Sequence, residues 1–304
     1  MRVLITGAGG NLGRVVAPAL VEAGHEPRLF DFRPLETAHQ FVQGDVRNPE
    51  DVARAVEGVD AIVHAAALHG IHLAKWTPHD FWAINVTGTF NVYEAARKAK
   101  IERFVLCSTI GVFGESMQPP EGAWAVVTED SPSLPTDVYG MSKWLCEDMG
   151  RYYSRRWGIT TVALRLGMFV PESFERYGFR LLFGGVDDRD VAQAVMLALS
   201  YQPPEGFDFF NIFADVPFGS EDAQLLNDDP GAVIEKHWPG SRDLFREKGL
   251  DLAELIWGRT IWPPDKAKRL LGYRPRYNFT EFLEALRSGN TSHYPFADLP
   301  HWGT

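Results

Sequence analysis

Apolar residues in the first half of the chain fall in short, nearly unbroken runs separated by longer stretches of helical period. Arg2–Thr6, Glu26–Asp31, His39–Gly44, Asp60–Ala65, Arg103–Ser108 and Thr160–Leu166 are such runs, and they lack polar alternation. That pattern predicts strands of a parallel sheet covered on both faces. Between them, Asn11–Ala23, Pro49–Glu57, Pro78–Ala99 and Tyr139–Trp157 space their apolar residues as helices do. Alternating strands and helices build right-handed βαβ units, so the expected fold is α/β with a doubly wound parallel sheet.

The pattern loosens after the sixth run. A helix is expected over Arg189–Ser200 and a last strand over Asp208–Phe213. The acidic run Asp187-Asp188-Arg189-Asp190 reads as the N-terminal cap of that helix. Ala214–Gly258 is rich in Asp, Pro and Gly. Pro263–Leu271 and Phe279–Leu286 read as short helices, and Ser288–Thr304 as a tail without a period. The division expected is a sheet domain over 1–165, rejoined by about 187–213. Residues 166–186 and 214–304 then form a small C-terminal substrate cap and tail.

Composition narrows the class. A net charge of −10 disfavours binding to a phosphate backbone, and no apolar run is long enough to span a bilayer. Two cysteines, Cys107 and Cys146, form no framework and suit a reducing compartment, so a cytoplasmic protein is expected. His64, His69 and His72 cluster, but their spacing fits no zinc pattern and no metal is expected. Trp76, Trp82, Trp124 and Trp144 are read as packing residues before sugar-stacking ones.

Gly7-Ala-Gly-Gly10-Asn11-Leu12-Gly13 follows the first strand and opens a helix. In that context one glycine permits the turn, a second lets backbone approach a pyrophosphate, and a third lets the helix pack closely. The anion would sit at the helix N-terminus. This is the Rossmann-type arrangement. Asp31, 18 positions after Gly13 at the end of the second strand, would accept from the ribose hydroxyls and repel a 2′-phosphate, which favours NAD. Arg33 pulls the other way, since a guanidinium accepts that phosphate. Asp45-Val46, after the third strand, offers a carboxylate near the adenine, with a plain turn as the competing reading.

Tyr139 and Lys143 stand four residues apart on one helix face. A phenol is a poor base because its ordinary pKa is about 10, and a nearby ammonium favours the phenolate. The pair then moves the substrate hydroxyl proton, and the lysine also anchors the nicotinamide ribose. Ser108 and Thr109 end the fifth strand, on the side where open sheets bind ligands, and place a hydroxyl beside the phenol.

Together with His64-Ala65-Ala66-Ala67, Asn85-Val-Thr-Gly-Thr89, Arg165 and the later Leu271-Gly-Tyr-Arg-Pro275, these motifs resemble the extended short-chain dehydrogenase/reductase family, the group of NAD-dependent epimerases and dehydratases. The resemblance implies a catalytic set of Tyr139, Lys143 and Thr109 with Ser108. It implies cofactor contacts from Gly7, Gly10, Asn11, Leu12, Gly13, Asp31, Arg33, Asp45, Val46, Ala65, Ala66, Asn85 and Lys143. It also implies a homodimer through the two long helices.

Departures from the family narrow the chemistry. Ile110-Gly111 stands where 4,6-dehydratases carry Asp-Glu, so elimination lacks its acid and base. Met168 replaces the asparagine usual in nucleotide-sugar epimerases, and only Pro171–Val186 follows to cradle a nucleotide. The stretch from Arg165 to Glu172 looks more like uronate dehydrogenases, with Arg165 pairing a substrate carboxylate, although their Ser-Ser-Asn-His run is Cys-Ser-Thr-Ile here. His69 and Met168 complete the substrate contacts. The expectation is an NAD-dependent oxidation of a small sugar or sugar acid. Its alternatives are an epimerase that retains its NAD and a non-catalytic NAD-binding protein.

Overall fold

The computed structural model describes residues 1–252, 258–292 and 294. Seven parallel strands make the main sheet: β1 (Arg2–Thr6), β2 (Glu26–Asp31), β3 (Gln40–Gln43), β4 (Ala61–His64), β5 (Arg103–Thr109), β7 (Thr160–Leu166) and β8 (Phe207–Ile212). Their order is β3-β2-β1-β4-β5-β7-β8, which reverses direction between β1 and β4. Ligands of open α/β sheets bind in the crevice at such a switch point.

Alternate residues of each strand face opposite layers. Val3, Ile5, Val63 and Val105 pack beneath α1 (Asn11–Glu22) and α7 (Asp188–Ser200). Leu4, Ile62, Phe104 and Leu106 pack beneath α2 (Pro49–Ala55), α4 (Gly88–Ala99) and α5 (Val138–Trp157). Both faces are therefore apolar, which is why the strand sequences show no alternation. Asp187 caps α7 by accepting from the Arg189 amide, as the acidic run implied.

A second core lies apart from the sheet. Phe174 and Phe179 of α6 (Phe174–Arg180) meet Phe218, Val233, Ile234, Phe245 and Phe279. The Pro171–Val186 stretch is thus partly helical rather than a plain loop. Trp124 packs on Phe183 within this core and donates to Asn227.

Two other expectations change. Pro78–Ala99 is not one α-helix: α3 (Pro78–Phe81) is followed by a π-helical segment, Trp82–Thr87, before α4 begins. The extra residue of a π turn carries no signature in apolar spacing. Pro263–Leu271 likewise ends in a π segment, Ala267–Leu271. A short parallel ladder joins Ala125–Val126 (β6) to Thr260–Ile261 (β9), two strands too brief to show a period.

Candidate active site

The glycine turn is built for close approach. Gly7 has φ +69°, and a Cβ there would lie 2.7 Å from the Ala66 backbone. A Cβ on Gly13 would stand 2.0 Å from the Ala8 carbonyl oxygen, so this glycine serves helix packing and does not face the cleft. Gly10, which caps α1, offers no side chain to the free amides behind it. That cradle fits a dinucleotide pyrophosphate.

Beyond the C-terminal ends of β1, β4, β5 and β7 lies a cleft of about 540 Å³. Tyr139, Lys143, Ser108 and Thr109 line one wall, Gly7, Gly10, Asn11, Leu12 and Ala65 another, and His69, Met168 and Arg180 the rest. A smaller cavity of about 160 Å³ shares Gly7, Gly10, Ala65 and His69 with it and runs toward Asp31, Arg33, Asp45, Val46 and Ala66. The structure thus brings most of the expected residues to one continuous crevice.

Asp137 caps α5 by accepting from the Gly140 amide, which starts the helix one residue before Tyr139. A Cβ on Gly140 would fall 2.3 Å from the Gly111 carbonyl oxygen, so the helix lies directly on the turn after β5. This contact sets the Tyr139 phenol within electrostatic reach of the Thr109 hydroxyl. Burial pushes the phenol above its usual range, opposed by that hydroxyl. The expected lowering by Lys143 is therefore not what the protein alone produces. Lys143 is 2% exposed and makes no ion pair among the described residues. Its charge is felt at His64, His69, Cys107 and Cys146. A buried cation of this kind, lining the cleft, fits the ribose of a bound dinucleotide.

Two expected contacts are placed otherwise. Arg165 is 2% exposed and forks onto Glu147 through Nε (3.0 Å) and Nη2 (2.8 Å), with Nη2 also donating to Ser133. Phe113 and Phe209 lie 4.6 and 4.1 Å from its guanidinium carbon. It is absent from the cleft lining, so it cannot reach a substrate carboxylate without breaking a buried pair. Asn85 is also buried: its Oδ1 accepts from Leu68, and its Nδ2 donates to the Leu68 carbonyl and to Ser142. It staples the loop after β4 to α5 and does not face the cavities. Asp45 lines the smaller cavity as expected and is paired there with the Arg47 guanidinium, whose hydrogen bond lowers its pKa.

Ser108 lines the cleft, but its Oγ donates to Glu147 at 2.6 Å, so its single proton is committed there. Asp31 accepts from the Gly9 amide at 2.9 Å and from the Arg33 amide at 3.0 Å. His64 is fully buried between Thr6 and Thr89, and desolvation holds it neutral at about 3. It belongs to the core. His69 sits 5.9 Å from the Tyr139 ring, its pKa driven well below the usual value by burial and then by Lys143. Cys146 is buried against Asn85 and Thr89 as a small packing residue.

Sequence reasoning missed Glu147 and Arg180. Glu147 follows Lys143 by four on α5, the spacing that already joins Tyr139 to Lys143. Arg180, at the end of α6, pairs with Glu172 and approaches Met168. No described group of His, Cys, Asp and Glu is arranged to hold a metal ion, and no described helix is long and apolar enough to cross a membrane.

A Rossmann-type sheet with a glycine cradle and a Tyr-Lys pair at one crevice defines an NAD-dependent enzyme of the extended short-chain dehydrogenase/reductase type. Residues 3–177 match the model of the NAD dependent epimerase/dehydratase family, and the chain belongs to that family. It is 34% identical to a uronate dehydrogenase of Pseudomonas syringae pv. tomato over 209 residues, 67% of this chain and 71% of that one. It is 36% identical to an L-arabinose 1-dehydrogenase (NAD(P)+) of Haloferax volcanii over 177 residues, 56% of this chain and 67% of that one. Its fold is that of a short-chain dehydrogenase/reductase superfamily protein of Agrobacterium tumefaciens solved with bound NAD. That match has a TM-score of 0.73 at 23% identity and covers 96% and 98% of the two chains. The homologues support an NAD-dependent oxidation of a sugar.

Proposed function

We propose that the chain is a dehydrogenase that oxidises a hydroxyl of a small free sugar or sugar acid, passing hydride to NAD. The observation that carries this reading is the meeting of Tyr139, Thr109 and Lys143 in a cleft of about 540 Å³ beside the glycine cradle. NAD, when bound, supplies the hydride acceptor and a positive nicotinamide ring. Tyr139 takes the hydroxyl proton, Thr109 orients the substrate oxygen, and Lys143 holds the ribose and stabilises the phenolate. Neutral His69 lines the same cleft and offers the substrate a hydrogen bond rather than a charge. Residues 166–186, 214–252 and 258–287 are assigned to a cap over this crevice; most of the expected tail, Ser288–Thr304, lies outside the described residues.

Arg180 replaces Arg165 as the cationic candidate for a substrate carboxylate, with its pairing to Glu172 limiting how strongly it attracts one. The short segment between β7 and α7 leaves little to cradle a nucleoside diphosphate, which argues against a nucleotide-sugar epimerase. We assign the protein to the cytoplasm on its two buried free cysteines. We also assign it a homodimer formed by the exposed Phe90, Trp144 and Trp157 on α4 and α5, to be checked by light scattering with Trp144→Glu.

The test is NADH absorbance with purified enzyme, NAD and a panel of free aldoses and uronates. Steady NADH formation that Tyr139→Phe abolishes supports the assignment. Tightly retained NAD with no net NADH, together with interconversion of sugar epimers, would replace it by the epimerase reading.

A further inference from the structure

The two cavities divide a dinucleotide between them. The reactive wall of Tyr139, Thr109 and Lys143 belongs to the larger, and the glycine cradle is common to both. With Asp31 at the end of β2 for the ribose, the smaller cavity is left for the adenine. Its side-chain carboxylate, Asp45, is engaged by Arg47. Recognition there draws on faces as well as edges.

The walls supply one such face. Trp76 lines this cavity and is 42% exposed, in the company of Val46, Leu68 and Ile84. Phe30, on the same wall, is closed off within the core at 1% exposure. Phe32 carries the Arg33 guanidinium 5.5 Å from its ring centre. Trp76 is placed by a tight loop: its amide donates to the His72 carbonyl at 3.0 Å, and the His69 amide donates to His72 Nδ1 at 2.8 Å. The loop lies within electrostatic reach of Arg33, whose charge lowers the His72 pKa behind the larger effect of burial. The same eight residues carry His69, which borders both cavities.

We propose that Trp76 is an adenine-stacking residue of the cofactor site, the aromatic wall of the smaller cavity, with Arg33 beside it at the ribose. Purine bases stack on indole without needing edge hydrogen bonds, and removing one base–aromatic stack costs roughly ten-fold or more in affinity.

The test is binding, read without turnover. NADH, AMP and nicotinamide mononucleotide are titrated by calorimetry into wild type, Trp76→Ala, Trp76→Phe and Phe32→Ala. Energy transfer from indole emission to bound NADH is followed alongside. Expected are roughly ten-fold weaker NADH and AMP binding in Trp76→Ala, unchanged nicotinamide mononucleotide binding, near wild-type affinity in Trp76→Phe and a reduced transfer signal in both Trp76 variants. NADH and AMP binding within two-fold of wild type in Trp76→Ala overturns the proposal, as does a larger loss in Phe32→Ala. If Trp76→Ala does not fold, an unchanged transfer signal in Trp76→Phe overturns it equally. None of these readings depends on which sugar is oxidised, so the proposal and the assigned reaction fail separately.

Discussion

Replacing Glu147 by Gln tests the buried pair that displaced Arg165 from the substrate's reach. Glu147 is fully buried and accepts three hydrogen bonds, from Ser108 Oγ and from Nε and Nη2 of Arg165. The remaining guanidinium nitrogen, Nη1, makes no hydrogen bond, so the Arg165 charge is balanced chiefly through this one carboxylate. Breaking a buried pair from one side costs about 3–5 kcal/mol because a charge is stranded. Glutamine keeps one acceptor, and Glu129 lies within electrostatic reach of Arg165, so the low end, about 3 kcal/mol, is expected. For a chain of this size that is a fall in Tm of about 5 °C. In Glu147→Gln/Arg165→Met the charge is gone and the methionine fills the slot between Phe113 and Phe209. At least half of the lost stability should return. The assays are urea unfolding of the two single variants and the double variant, with KM for a uronate and a neutral aldose measured on the double variant. A Glu147→Gln loss below about 0.5 kcal/mol, small for a buried charged group, would refute the energetic reasoning. A KM increase confined to the uronate would restore Arg165 to the substrate site.

Tyr139→Phe should lower turnover by roughly 10²–10⁴-fold, the usual worth of one positioned acid or base, with NADH affinity by calorimetry unchanged. Because burial raises the Tyr139 pKa, the phenol is protonated at neutral pH, so kcat/KM for oxidation should climb from pH 7 toward pH 10. A profile already flat at pH 7 would show that bound NAD and Lys143 fully reverse the burial effect. Gly13→Ala should abolish or severely weaken folding and NAD binding, read by circular dichroism and calorimetry, since its Cβ would meet the Ala8 oxygen at 2.0 Å. His64 is depressed to about 3, so its contribution is present above the unfolded value of 6.5 and lost as pH falls toward 3. At about 1.4 kcal/mol per pH unit, His64→Asn should reduce the urea-measured stability loss between pH 6.5 and 4.5 by roughly 2–3 kcal/mol.

The sheet was legible because its cause is local and repeated. Apolar runs of strand length, each followed by a helical period, leave few other architectures, and the glycine turn fixed which end binds. That Tyr139, Lys143 and Thr109 meet at one cleft was legible for the same reason, since strand end and helix face set their positions. Arg165 was misread because sequence shows that an arginine ends β7 but not what faces it. Its partner, Glu147, lies 18 residues away on α5, and only the register of helix on sheet joins them. Asn85 was misread similarly. The π segment turns it toward Leu68 and Ser142, and no apolar pattern marks a π turn. Arg180 was hidden because cavity walls built from loops and short helices have no period to read.

Tyr139, Lys143 and Glu147 form a row at four-residue spacing along α5, and the row explains why one helix can carry both the chemistry and its support. Glu147, clamped by Arg165 and Ser108, fixes the rotation of the helix against β5 and β7. One turn nearer the helix start, Asn85 holds Ser142. At the start itself Gly140 rests on Gly111, which sets the phenol against Thr109. A side chain at 140 or a stranded charge at 165 would move the helix as a body, and the hydroxyl–phenol contact would open with it. The protein supplies position in this way, but not the phenolate, because burial alone favours the protonated form. On the proposed reaction, the cation that tips the balance would come from Lys143 acting with the positive ring of bound NAD, and that would couple proton removal to occupancy of the cofactor site. Sugar bound without NAD would then meet a hydrogen-bond donor at Tyr139, and sugar bound with NAD would meet a base.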